Sequence, residues 1–150
     1  MKCANAHGCS PVAGDLIWAW TVATLFSGLP STLHALLAGA DVTAAVRAAG
    51  AMLIPADAPF PDLLVAATFV HASVSLFWTV ILVSALPARR VVVSAMLASA
   101  FIALLDLRVI APVQFPEVAR LPFWPQFADH LAWGACVGVV LRLRRREARR

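Results

Sequence analysis

The chain has no tyrosine, three cysteines and few charges, which make up 13% of its residues. Without tyrosine there is no phenolate or tyrosyl-radical chemistry. Three cysteines at 3, 9 and 136 give no disulfide framework. A soluble domain carries about 25% charged residues. A chain this poor in charge, with 61% hydrophobic residues and a mean hydropathy of +0.83, cannot hide its apolar surface in a core of its own size. The solvent it suits is a lipid bilayer. There is no CxxC, HExxH, Walker loop or GxSxG, so the common metal, nucleotide and serine-hydrolase motifs are missing.

The excess of positive charge, 12 Lys and Arg against 8 Asp and Glu, does not point to nucleic acid, because it sits at the ends of apolar runs instead of spreading over a face. Cys3, His7 and Cys9 supply three metal donors on a short tail, and a disordered tail is the plainer reading.

Four apolar runs are present, and they predict an all-α membrane protein with a four-transmembrane-helix bundle. The first, residues 16–38, follows Asp15 as a helix cap, with Trp18 and Trp20 at headgroup level. It is too long for the apolar core of a signal peptide. Pro30 frees the carbonyl of Phe26 and predicts a kink, and Ser27 and Ser31 are placed to bond the loosened backbone. The connection Asp41–Asp62 begins Ala-rich, with Asp41 at a capping position, and predicts a short helix at the membrane surface. Pro55, Pro59 and Pro61 then stop it.

The second run, residues 63–86, has no Pro, Gly or charge, and His71 is its one ionisable group. Pro87, Arg89 and Arg90 end it. Ser73, Ser75 and Ser84 read as helix-packing hydroxyls. The third run, residues 91–111, carries Ala95, Ser99 and Ala103 at every fourth position, a stripe suited to close helix contact. Asp106 and Arg108 lie late in it, and Pro112 ends it. Trp124 and Phe127 read as an interface anchor before the fourth span, residues 126–141. That span carries Gly134 and Gly138 as GxxxG, with Asp129 and His130 at its start and a block of arginines after it.

Placing the N-terminal tail 1–14, the Pro87–Arg90 turn and the tail 142–150 on one side collects most of the basic residues there. Both termini are therefore expected in the cytoplasm, with two in–out–in hairpins and four spans. His34, His71, Asp106 and His130 then fall, one per span, in the outer third of the bilayer. The hairpins correspond as a faint repeat, His34 with Asp106 and His71 with His130.

Four chemistries fit such a group. Asp and His on facing helices fix packing by hydrogen bonds. Three imidazoles and a carboxylate, His34, His71, His130 and Asp106, make a tetrahedral set for zinc or another transition metal. His71 and His130 on facing helices suit haem. Asp and His at depth also serve proton or ion relays in carriers. The alternative to all four is that His34 and Asp106 simply sit at the interface, with Arg108 as the solvated partner of Asp106.

The segment LPFWPQFADHLAWGACVG after LLDLRVI, together with LFSGLPSTLHALLAG in the first span, resembles small four-span bacterial membrane proteins that have no assigned activity. The likeness covers Leu25–Gly39 and Leu104–Gly138 and implies a bacterial inner-membrane location. It implies no functional residues.

The function expected is that of a non-enzymatic membrane component without a cofactor, in which the His/Asp group fixes packing or binds a small ligand or partner. The alternative is a metal- or haem-binding redox protein, or a small-solute or ion transporter. A homo-oligomer or membrane complex through Gly134, Gly138 and the Ala95–Ser99–Ala103 stripe is the third expectation.

Overall fold

The computed structural model describes residues 11–87 and 89–147. The Cys3–His7–Cys9 group lies outside them. Within them all the regular structure is helical, in the order α1 (Pro11–Phe26), α2 (Leu29–Ala38), α3 (Ala44–Gly50), α4 (Phe60–Ala85), α5 (Val91–Leu105), a π-helical turn (Asp106–Ile110), α6 (Ala111–Gln114), α7 (Pro116–Ala119) and α8 (Phe123–Glu147). Three helical stretches, Ala13–Ala38, Phe60–Ala85 and Val91–Gln114, are long and apolar enough to cross a membrane. Large side chains such as Leu37, Val65, Phe101 and Val113 stand well exposed along them. An apolar exterior of this extent belongs against lipid, and the chain is an all-helical membrane protein.

The first span is broken rather than kinked. Helix α1 ends at Phe26, residues 27–28 form a turn, and α2 starts at Leu29 with Pro30 in its first turn. A proline there loses no hydrogen bond, since the first amides of a helix have no partner within it. Helix α1 begins at Pro11, ahead of the expected start at Leu16. Asp15 therefore lies inside the helix and does not cap it. It binds Arg144 instead, Oδ1 accepting from Nε at 2.6 Å. Helix α2 closes on Gly39 at φ 64°, where the left-handed conformation suits glycine, and the Ala40 amide bonds to Ala35 O at 2.9 Å.

Pro112 does not end the third span. The backbone passes through the π-turn and continues to Gln114. Proline has no N–H for the carbonyl of Arg108 and its ring crowds that oxygen. The wider turn, in which the Ala111 amide bonds to Asp106 O, accommodates both. The expected surface helix is present as α3, but it docks on α4. Ala48 and Gly50 are buried there, and a Cβ on Gly50 would come within 2.9 Å of Leu63 Cα. Asp41 starts it by accepting from the Thr43 amide at 2.8 Å and the Thr43 hydroxyl at 2.7 Å.

Helix α8 is the hub. It packs on α5, α1 and α2, while α1 also packs on α4, and α4 and α5 have little direct contact. Asp15–Arg144 ties the start of α1 to the end of α8, and Ser31–Asp129 ties α2 to the start of α8, so the two run antiparallel. Helix α5 is also antiparallel to α8. There the small residues mesh. A Cβ on Gly138 would lie 2.6 Å from Val92 Cα, and one on Gly134 would lie 2.6 Å from Ser99 Cβ. Ala95, Ser99 and Ala103 are fully buried. The two small-residue motifs thus close on each other within one chain. The surface expected to join two copies is already occupied.

Candidate functional site

Breaking a helix inside a membrane leaves backbone groups without partners, and lipid offers none. Two side chains from other helices bind on either side of the break. His71 on α4 places Nε2 3.0 Å from Thr24 O, among the last carbonyls of α1. A carbonyl only accepts, so Nε2 carries the proton. The same nitrogen is 3.3 Å from Ser27 Oγ. On the other side, Asp129 Oδ1 accepts from the Ser31 amide in the first turn of α2 at 2.8 Å. Thr32 Oγ1 and Ser31 Oγ donate to Gly28 O at 2.8 and 3.3 Å.

His130 follows Asp129 on α8 and faces the third span. Its Nδ1 is 2.9 Å from Gln126 O and therefore carries a proton. Its Nε2 is 3.4 Å from Asp106 Oδ2. Two lone pairs cannot face each other there, so this contact holds a proton between imidazole and carboxylate. Arg108 is not the partner of Asp106. It lies over the Phe123 ring, 4.1 Å from its centroid. The π-turn begins at Asp106, within reach of α8.

Below this level a polar seam joins three helices. Ser75 Oγ accepts from Trp133 Nε1 at 2.9 Å and shares a hydrogen with Thr24 Oγ1 at 2.7 Å. Trp20 Nε1 donates to Ala72 O at 3.0 Å. Trp20 is thus an interhelical donor and not a headgroup anchor, while Trp18 is exposed. Ser75 is a junction of α1, α4 and α8, more than the simple packing hydroxyl expected of it. Among the described residues Ser84 bonds only to Val80 O of its own helix.

A cavity of about 150 Å³ lies where these groups meet, and Ser27, His71, Asp106, Asp129, His130 and Trp133 border it. Three of the four residues expected to converge, His71, Asp106 and His130, do so. His34 does not. It is exposed and borders a separate pocket beside Asp41 and Gln126. The fourth ionisable member is Asp129. Sequence marked it as a charge near the start of a span, but its role depends on the break in α1–α2, which sequence placed as a kink.

The four-ligand metal set therefore does not assemble, and among the described residues no three His, Cys, Asp or Glu side chains gather as a metal-binding group. Haem between His71 and His130 fits poorly. Both ring nitrogens of His130 are engaged, by Gln126 O and Asp106 Oδ2, and Nε2 of His71 is held by Thr24 O. Comparison of the chain with protein-family models, with characterised proteins and with solved structures found no match.

Proposed function

We propose that this chain is a four-span protein of the bacterial inner membrane, with both termini in the cytoplasm, and that it binds a small polar solute in the cavity beside its broken first span. It is a membrane component without chemistry of its own. The fourth span is α8. Its uncharged stretch, Leu131–Leu141, is short, and two of the charges near its ends have partners, Asp129 with the Ser31 amide and Arg144 with Asp15. Orientation rests on the arginines at the end of α8 and at Arg89 and Arg90, which favour the cytoplasmic face.

The observation that carries the reading is that Asp106, Asp129, His71 and His130, each costly in lipid, border one cavity at a helix break. A break of this kind, with side chains and a half-helix N-terminus turned to a pocket, also suits transport, because residues 27–28 can act as a hinge.

The test is solute binding to the protein in nanodiscs, followed by tryptophan fluorescence and calorimetry. Gly28 borders the cavity, and a Cβ built there meets nothing within 4 Å. Gly28→Leu is expected to fill the space, keep the fold and abolish binding. Binding unchanged in this variant would overturn the reading. A C-terminal fusion to green fluorescent protein is expected to fluoresce, and a dark fusion beside an active alkaline phosphatase fusion would reverse the orientation.

A further inference from the structure

The geometry points to a small organic monocation, a protonated amine or quaternary ammonium, as the solute this cavity takes. The inference rests on the solute-binding reading above and adds the charge and size of the ligand.

Charge can be counted group by group. Asp106 and His130 hold one proton between them and together are neutral. His71 donates Nε2–H to a carbonyl, and among the described residues its Nδ1 has no acceptor for a second proton, so the ring is counted as neutral. The other polar side chains at the wall, Ser27, Ser75 and Gln126, are uncharged. Asp129 remains; its Oδ1 accepts the Ser31 N–H, a hydrogen bond that favours the carboxylate, and it is counted as charged. The N-terminus of α2 contributes a partial charge of about +0.5 and offsets part of it. The cavity is left with a fraction of a negative charge in a medium where uncompensated charge is expensive. One monovalent cation balances it.

The wall decides which kind of cation. Val74, Trp78, Ile102 and Trp133 make much of it apolar, with two indole rings. Alkali and alkaline-earth ions need a shell of about six oxygens, and two carboxylates with a few hydroxyls do not supply one. An alkylammonium spreads its charge over methyl groups, tolerates apolar walls and gains from indole faces within about 6 Å. The volume of about 150 Å³ admits a group of benzene size.

The experiment uses three probes of similar shape and different charge: tetramethylammonium, tert-butanol and pivalate. Each is titrated into the full chain in nanodiscs at low salt. The cation is expected to bind at least tenfold tighter than the neutral probe, and the anion weakest. Asp129→Asn keeps an oxygen for the Ser31 amide and removes the charge, so the preference should disappear while the melting temperature holds. If Asp129→Asn fails to fold, Trp78→Leu serves, with cation affinity falling more than that for tert-butanol. Equal or tighter binding of tert-butanol or pivalate overturns the cation assignment and leaves the solute pocket standing. No binding of any probe overturns both.

Discussion

Asp129 Oδ1 lies 2.8 Å from the backbone nitrogen of Ser31, across 98 residues of sequence. A carboxylate on one helix thereby caps the start of another. Caps normally come from the residue just before the helix, but Gly28 holds that position in α2 and has no side chain to offer. The break in the first span is in this sense completed by α8. Removing the acceptor should show the dependence. Asp129→Ala is expected to cost about 1–2 kcal/mol, the range for a lost N-cap. Amide exchange should rise at Leu29 and Ser31 before it rises in α4. Uniform exchange across α1, α2 and α8 would argue against a capping role.

The α5–α8 seam predicts an asymmetry among glycines. Gly138→Ala puts a methyl 2.6 Å from Val92 Cα, a backbone atom that cannot step aside, and the helices must part. The expected loss is about 1–3 kcal/mol, the cost of overpacking a filled core. Gly134→Ala should behave alike. Gly28→Ala meets nothing within 4 Å and should leave stability unchanged. Thermal unfolding in detergent measures all three. Since the seam is internal, the damage should appear as lost stability at constant oligomeric state. A shift from oligomer to monomer with the fold intact would place the glycines between chains.

Ser75 predicts a coupled loss. Trp133 is nearly buried, and its indole N–H has Ser75 Oγ as acceptor. Ser75→Ala strands that donor and should cost about 1–3 kcal/mol. In a Trp133→Phe background the donor is gone, and the same change should cost distinctly less. A double-mutant cycle with unfolding as readout measures the coupling, and additive losses would mean that the hydrogen bond contributes nothing.

Acid should act on α3. Hydrogen bonds from the Thr43 side chain and then its backbone hold the Asp41 carboxyl below its ordinary value of 3.8. A carboxylate lowered by folding stabilises the fold above its unfolded value and loses that contribution as pH falls through the folded one. The Thr43 amide resonance should therefore titrate with a midpoint below 3.8. Asp41→Asn should remove the titration. A midpoint at or above the ordinary value would show that the turn does not favour the charged form.

At the arginine-bearing end, Asp15 and Arg144 join the first and last long helices. Both side chains are mostly covered, 19% and 33% exposed. Removing one partner leaves the other charge poorly solvated. Asp15→Asn should destabilise the protein, and Asp15→Asn with Arg144→Gln should recover part of the loss. A double variant no better than the single would show that the pair is not coupled.

The local features were legible in the residues. Apolar runs of the right length set out the long helices, because spanning length is a property of consecutive residues. Small residues at every fourth position marked the faces of closest approach, because helical period is local too. His71, Asp106 and His130 stood out as costly groups before their neighbours were known. What local pattern cannot carry is which face meets which. Gly134 and Gly138 could meet a second chain or Ala95 and Ser99, and only the antiparallel arrangement of α5 and α8 decided. Pro30 signalled a disturbed backbone by freeing the carbonyl of Phe26, but at the break His71 binds Thr24 O and Asp129 binds the Ser31 amide, both from other helices. Arg108 sits two residues from Asp106 and was its partner only in the reading that left Asp106 at the interface, whereas the fold places that carboxylate beside His130. Sequence determined where polarity and bulk lie along each helix. The tertiary structure determined the partners, because hydrogen bonds and close packing in a membrane are settled between helices brought together from distant parts of the chain.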